Sequence, residues 1–206
     1  SILRAKWIMG LKSELETPQK RSIFLSKGAF DMKNAFLALA AVVFLASCSG
    51  KPSLDDDKLS DREFRLEQFF VGKTKAHGQF QDILGNVSRR FEVDITGTFD
   101  GSLLTLVEDF SYADGSKEQR IWKLTKTGPN TWSGTADGVI GDALGETRGD
   151  TFNWGYKIDL PVPDGTMRVV FDDWMWQLSD TRVLNRAYMS KFGFPLGEVV
   201  IYFEKE

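Results

Sequence analysis

The feature that most restricts the fold of this chain is a series of short segments in which apolar and polar residues alternate. The clearest segment is TFNWGYKIDL at residues 151–160, where every second residue is large and apolar. A period of two is typical of a β-strand with one buried face. Turn dipeptides separate the segments, and an Asp-Gly pair is a strong hairpin signal. These dipeptides are Asp100-Gly101, Asp114-Gly115, Gly149-Asp150 and Asp164-Gly165.

The alternating segments predict an all-β fold: an antiparallel meander barrel of about eight to ten strands. A barrel of about eight strands is just wide enough to be filled by its own side chains or to hold one small ligand. The architecture resembles that of lipocalin- or calycin-like barrels. No Gly-x-Trp motif opens the first strand, and the single Cys allows no intrachain disulfide, so the resemblance concerns architecture only.

A short helix is predicted before the first strand. Ser60 is placed to cap it, and Glu63 lies three residues later, as in a capping box. Leu59 and Phe64 are spaced to form a hydrophobic staple across that cap. The sequence LEQFF that follows supplies an apolar side, and Gly72 is expected to end the helix.

Composition excludes several kinds of function. The chain of 206 residues has one His, His77, and one Cys, so a zinc site of several His and Cys ligands is not expected. The net charge of −3 gives no basic surface for nucleic acid. We therefore predict no metal, no cofactor and no nucleic-acid partner, and we expect His77 to lie at the surface.

The first part of the chain reads as a targeting segment. Lys33 follows Met32, and an uninterrupted apolar run covers residues 35–45, the length of a secretory signal and too short for an ordinary transmembrane helix. The run ends in LASC at residues 45–48, which resembles a bacterial lipobox. The resemblance implies cleavage before Cys48 and lipidation of that thiol, and Ser49 favours sorting to the outer membrane, facing the periplasm.

The predicted organisation has four parts. Residues 1–31 are interpreted as an over-extended start without a fold of their own, and a long basic leader is the alternative. Residues 32–47 form the lipoprotein signal peptide. Residues 48–58 form a lipidated flexible tether, because they are polar and carry several charges. Residues 59–206 form the barrel, which the lipid on Cys48 attaches to the membrane.

A set of motifs in the second half of the chain resembles one bacterial lipoprotein family. The motifs are FDDWM at 171–175, NRA at 185–187, MSKFG at 189–193 and GE at 197–198, with WKL at 122–124 and GTAD at 134–137 upstream. Together they are similar to the family named "domain of unknown function 3833", over about residues 62–205. The resemblance implies a lipoprotein address and one domain, and it implies no catalytic residue.

The stretch FDDWMWQL at residues 171–178 carries the candidate site. Alternation places Asp172 on one face with Trp174 and Trp176, and Asp173 on the other. A carboxylate in an apolar layer needs a partner or loses its charge. We predict that Asp172 points into the barrel and pairs with Arg186. Arg168 is a second candidate partner, and a β-bulge that turns both acids outward is an alternative.

Three functions remain open at this point. The first is a carrier that binds a hydrophobic or lipid-like molecule, with Arg186 or Asp172 as the polar anchor and an aromatic wall of Trp154, Tyr156, Trp174 and Trp176. The second is a structural or accessory envelope protein with a filled core, in which the Asp172–Arg186 pair fixes the strand register. The third is a hydrolase that uses two carboxylates, for which Asp137 or Glu146 would join one Asp of the stretch.

Overall fold

The computed structural model describes residues 50–58, 60–162 and 165–206. Cys48, Leu59 and the predicted signal peptide lie outside these residues, so the proposed lipidation stays a prediction. Among the described residues, no helix has the length and apolar character that crossing a membrane requires.

Ten antiparallel strands close into one barrel, which confirms the predicted fold class. Each strand pairs with its neighbour in sequence, and β10 returns to pair with β1. The strands are β1 (Gly72–Asp82), β2 (Val87–Phe99), β3 (Leu103–Tyr112), β4 (Lys117–Lys126), β5 (Thr131–Thr135), β6 (Ala143–Arg148), β7 (Thr151–Val162), β8 (Gly165–Ser179), β9 (Arg182–Lys191) and β10 (Phe194–Lys205).

The Asp100-Gly101 and Asp114-Gly115 turns lie where the sequence places them, whereas Asp164 of the last predicted turn is outside the described residues. Gly101 and Gly115 adopt positive φ angles of 105° and 81° between β2 and β3 and between β3 and β4. Asp100 Oδ1 accepts hydrogen bonds from the backbone N–H groups of Ser102 and Leu103, which fixes the first of these turns. The Asp-Gly pairs therefore act through two effects, a glycine that tolerates positive φ and an aspartate that satisfies the turn backbone.

The helix before β1 is shorter than predicted and has no capping box. It is α1, Leu66–Phe69, and its N-cap residue Arg65 makes no side-chain cap. Ser60 instead donates a hydrogen bond of 2.7 Å to Asp150 Oδ2, at the turn between β6 and β7. The prediction that Ser60 caps the helix is wrong, because a buried carboxylate of the barrel takes its hydroxyl.

One end of the barrel is closed by α1 and its flanking residues. Lys205 Nζ donates to the carbonyl oxygens of Gln68, Phe69 and Val71 at 2.7–2.9 Å, which satisfies the free carbonyls at the end of this helix. Four buried apolar side chains fill the barrel end and pack on one another and on the strands: Phe64, Leu66, Phe69 and Phe70.

The segment of residues 64–70 forms a plug in this end of the barrel, and a glycine of β2 lets the plug approach the barrel wall closely. A Cβ built on Gly97 of β2 would lie 1.8 Å from the carbonyl oxygen of Phe70, so no larger residue fits there without moving the backbone. The plug fixes which end of the barrel is closed, and the inward residues of the strands line the space beneath it.

Candidate functional site

The barrel interior contains a cavity of about 130 Å³ that extends from the plug along the strands. This volume is similar to that of a cavity of about 150 Å³ that binds benzene in another protein, and it is below the roughly 300–1,000 Å³ of a pocket for a drug-sized ligand. The space therefore suits one small ring or a short alkyl segment. Most of the remaining interior is filled by side chains of the core.

An aromatic wall covers one side of the cavity. Trp122 of β4 lies edge-on to Trp154 and Tyr156 of β7, with ring centroids 5.7 and 5.2 Å apart. Tyr156 stacks on Phe171 of β8 at 5.2 Å. The alternation of β7 puts Trp154 and Tyr156 on the inner face, as the sequence predicts, and both line the cavity.

Two opposite charges lie on neighbouring strands beside this aromatic wall. Glu108 of β3 and Arg120 of β4 are cross-strand partners, and both line the cavity. The Arg120 side chain is 17% exposed, and its Nη2 donates to Glu118 Oε1 at 3.4 Å. Within the described residues, the Glu108 carboxylate forms no hydrogen bond or close ion pair.

Asp173 and Asn185 complete the polar groups of the cavity. Asp173 of β8 is 8% exposed, and Asn185 of β9 is 1% exposed. The Asn185 Nδ2 group donates to Asp173 Oδ1 and, at 2.9 Å, to the carbonyl oxygen of Trp174. Both of these partners are acceptors, which fixes the orientation of the amide. Its Oδ1 atom is buried and has no hydrogen-bond partner among the described residues.

Burial shifts the protonation of the carboxyl groups. Desolvation, and to a smaller degree the nearby charge of Asp172, raises the pKa of Asp173 to about 7 against a hydrogen bond from Asn185 that lowers it. Desolvation also raises the pKa of Glu108 to about 7, although Arg120 acts in the opposite direction. Both groups therefore change protonation near neutral pH. Desolvation likewise raises the pKa of Tyr156.

The structure reverses the predicted faces of the stretch FDDWMWQL. Asp173 lies opposite Trp154 across the ladder between β7 and β8, and cross-strand partners point to the same side of a sheet. Because Trp154 points inward, Asp173 also points inward and Asp172 points outward. The prediction that Asp172 enters the barrel is wrong. On the outer face, Asp172 Oδ1 accepts from Trp174 Nε1 at 2.9 Å and from Asn153 Nδ2 at 3.0 Å.

The predicted pair between Asp172 and Arg186 is also absent. Arg186 lies opposite Trp174 on the outer face, and its Nε donates to Glu198 Oε2 of β10 at 2.6 Å. Arg168, the second candidate partner, forms a two-point pair with Asp159 at 2.8 and 2.9 Å. Arg168 pairs with the residue directly opposite on β7, whereas Arg186 pairs with a diagonal neighbour on β10.

The predicted ligand wall is therefore divided between two faces. Trp154 and Tyr156 line the cavity, whereas Asp172, Trp174, Trp176 and Arg186 do not. Trp174 and Trp176 stack on each other at 6.4 Å on the outer side of the sheet. The predicted carboxylates Asp137 and Glu146 are not among the residues that line the cavity either.

The sequence carried a signal for the polar residues that the predictions missed. In β3, Glu108 occupies an inward position in phase with Leu104, Leu106 and Phe110. Arg120 has the same relationship to Trp122 and Leu124 in β4. A charged residue at an apolar position of an alternating strand predicts an interior polar group, and this pattern is independent of register.

Other polar residues give no second site. His77 is half-exposed and lies 3.9 Å from Glu92 on the outer face. Across the described residues, no group of three or more His, Cys, Asp and Glu side chains is placed to hold a metal ion. The interior cluster of Glu108, Arg120, Asp173 and Asn185 is thus the strongest candidate for function.

The barrel end opposite the plug carries exposed apolar side chains. Ile83 and Leu84 lie in the turn between β1 and β2 and are 64% and 82% exposed. Phe192 lies in the turn between β9 and β10 and Phe194 begins β10, and they are 89% and 73% exposed. These turns are neighbours because β1 pairs with β10. Phe192 has a φ of 52°, the one positive φ of a non-glycine residue in the described ranges.

Comparison with known proteins gives a family and a fold. The model of a family described as "Protein of unknown function (DUF3833)" matches residues 42–205. No curated protein matches the chain. An S-type phycobiliprotein lyase from Guillardia theta has a similar structure, with a TM-score of 0.51 and 12% identity over 66% of this chain and 88% of that chain. A redesigned β-barrel matches with a TM-score of 0.38 and 11% identity over 70% of this chain and 98% of that chain.

Proposed function

The chain belongs to the DUF3833 family of proteins of unknown function, and we propose that its barrel binds a small hydrophobic molecule in the interior cavity. The observation that carries this proposal is a cavity of about 130 Å³ that has an aromatic wall and a buried amide oxygen with no partner in the part of the chain that the structure describes. Binding sites are mostly apolar with a few placed polar groups, which is the composition found here.

The cavity limits what is bound. A whole lipid does not fit in about 130 Å³, so the ligand is either a small molecule or a larger one that places only one ring or short alkyl segment inside. The exposed apolar residues Ile83, Leu84, Phe192 and Phe194 surround the end opposite the plug. They offer an apolar surface at which a hydrophobic ligand can first make contact.

The proposal includes attachment to the membrane of the bacterial envelope. The lipobox-like sequence before Cys48 supports lipidation of this thiol, and Ser49 favours the periplasmic side of the outer membrane. Replacing Cys48 by Ser is expected to leave an uncleaved precursor that takes up no labelled fatty acid. A labelled, processed product from the Cys48→Ser variant would contradict the anchor without affecting the binding proposal.

Native mass spectrometry of the protein, extracted gently from membranes, tests the binding. A bound small molecule is expected on the wild-type barrel and is expected to be absent from an Ala187→Leu variant. Ala187 lines the cavity and is 4% exposed, so the larger side chain occupies the ligand space. Toluene, added to both proteins while Trp fluorescence is recorded, provides a probe of known size.

A structural or accessory protein with a filled core is the second candidate. It is favoured by the large share of the interior that aromatic side chains already occupy. In that case no small molecule remains bound to the extracted protein. Toluene then causes the same small change in Trp fluorescence in the wild type and in Ala187→Leu. That result would remove the carrier function.

A further inference from the structure

We propose that the ligand is a small amine, whose protonated nitrogen is held by Asp173, Glu108 and the free amide oxygen of Asn185 while its apolar part lies against Trp122, Trp154 and Tyr156. This inference rests on the proposed function and adds the chemical class of the ligand. It follows from the acceptor atoms of the cavity wall that lack a hydrogen bond, from the acidic groups of the cavity, and from the aromatic rings around it.

The cavity has unused acceptors in its wall. Among the described residues, Asn185 Oδ1 is buried without a partner, and an unpaired buried polar atom is costly. The Glu108 carboxylate has no hydrogen bond within these residues, and Asp173 accepts from Asn185 on Oδ1 alone. An ammonium group has three donors and no acceptor, so it matches a set of this kind.

The charges point to the same ligand. Glu108 and Asp173 carry two negative charges when ionised, whereas Arg120 carries one positive charge. Arg120 is shared with Glu118, so the cluster keeps a net negative charge in an interior where unpaired charge is expensive. A cationic ligand reduces this negative charge, whereas an anionic ligand adds to it.

The aromatic wall favours a cation as well. The Trp122 ring centroid lies 5.7 Å from that of Trp154 and 5.2 Å from that of Tyr156, with interplanar angles of 69° and 72°. An ammonium group that meets a free face of one of these rings gains a cation–π attraction, as in the aromatic cages that hold such groups. The same rings give an apolar surface for the carbon part of the ligand.

Four probes of nearly equal size separate charge from shape: benzylamine, benzyl alcohol, toluene and benzoate. Their affinities are measured by quenching of Trp fluorescence at about pH 8, above the pKa of about 7 of both carboxyl groups. We expect benzylamine to bind at least about tenfold more tightly than toluene, which corresponds to one well-placed charge contact.

Two matched variants locate the effect. Asp173→Asn keeps the shape and removes the inner charge, and it is expected to abolish the preference for benzylamine. Asp172→Asn makes the same change on the adjacent, outward residue and is expected to retain the preference. Should Asp173→Asn fail to fold, as judged by circular dichroism, Glu108→Gln replaces it and is expected to reduce the preference in the same direction.

Other outcomes overturn the inference in distinguishable ways. Tightest binding of benzoate would identify Arg120 as an anchor for anions and would refute the amine. Equal binding of toluene and benzylamine would refute charge selection and leave the hydrophobic carrier intact. Failure of all four probes to bind would overturn the amine and the proposed function together. A benzylamine preference that survives both Asp173→Asn and Glu108→Gln would refute this placement of the nitrogen.

Discussion

Asn185 donates its side-chain amide to Asp173 inside the barrel, and the two residues lie on neighbouring strands, β8 and β9. The adjacent Asp172 faces the other way and binds Trp174 and Asn153. Two consecutive carboxylates thus have opposite environments, one desolvated and one on the outer face of the sheet. The difference gives the molecule a titration near neutral pH, which can be measured.

Unfolding free energy is expected to fall as the pH rises from about 5 to about 8. The folded pKa of Asp173 is about 7, against a usual value of 3.8, so between these values the folded protein binds more protons than the unfolded chain. The contribution of this carboxyl group to the unfolding free energy is therefore fully present below about pH 4 and is lost as the pH rises through about 7. Glu108 contributes in the same direction, and Arg120, Glu118 and Tyr156 are the other charged or titratable groups around it.

Asp173→Asn is expected to raise the unfolding free energy at about pH 8 by roughly 1–3 kcal/mol, since the buried charge is removed and the amide oxygen still accepts from Asn185. Urea unfolding of wild type and variant across the pH range provides the measurement. The matched Asp172→Asn change is expected to keep the fall in stability but to move it to slightly lower pH, because the nearby charge of Asp172 raises the pKa of Asp173. Parallel profiles for wild type and Asp173→Asn would mean that Asp173 is not the titrating group.

Gly97→Ala is expected to destabilise the barrel by about 1–3 kcal/mol, the usual range for overpacking. Its new methyl group would collide with the carbonyl oxygen of Phe70, which a Cβ approaches to 1.8 Å, so the plug must move away from the wall. Gly155→Ala is the control, because the nearest atom to its Cβ outside its chain neighbours, the carbonyl oxygen of Leu144, is 4.0 Å away. Equal unfolding free energies of the two variants would show that the plug does not rest on Gly97.

Arg186→Met is expected to cost less than about 1 kcal/mol, because its pair with Glu198 lies on the surface and exposed pairs contribute little. Combining it with Asp172→Asn is expected to give the sum of the two single effects within about 0.5 kcal/mol. A double-mutant cycle in urea measures this sum. A coupling energy of several kcal/mol would instead support the buried pair between Asp172 and Arg186 that was predicted from the sequence.

Phe192→Asn is expected to stabilise the hairpin between β9 and β10 by about 0.5–1 kcal/mol. Phe192 and Gly193 form its two-residue loop with φ angles of 52° and 83°, a conformation that Asn adopts more easily than Phe. Phe194→Asn tests the specificity, because Phe194 is similarly exposed but has no positive φ. A loss of thermal stability in Phe192→Asn would indicate that the ring, and not the backbone, dominates at this position.

Alternation alone determined which residues share a face. Phe152, Trp154, Tyr156, Ile158 and Leu160 were predicted on one side of a strand and lie on one side of β7, because successive side chains of a strand point in opposite directions. The turn dipeptides determined where strands end, through the conformational freedom of glycine. These properties are local, so the sequence was sufficient for the number of strands and the barrel class.

The tertiary structure decided which face is the inner one in β8 and which partner each charge has. Both faces of FDDWMWQL combine an acid with large apolar groups, so alternation does not indicate which face is the inner one. The two tryptophans suggested the wrong face, because both lie on the outer side of the sheet. The pairing of β8 with β7 places Asp173 beside Trp154, and the pairing of β9 with β10 places Arg186 beside Glu198. Register joins residues far apart in the chain, and a shift of one residue would turn every side chain of a strand to the opposite face.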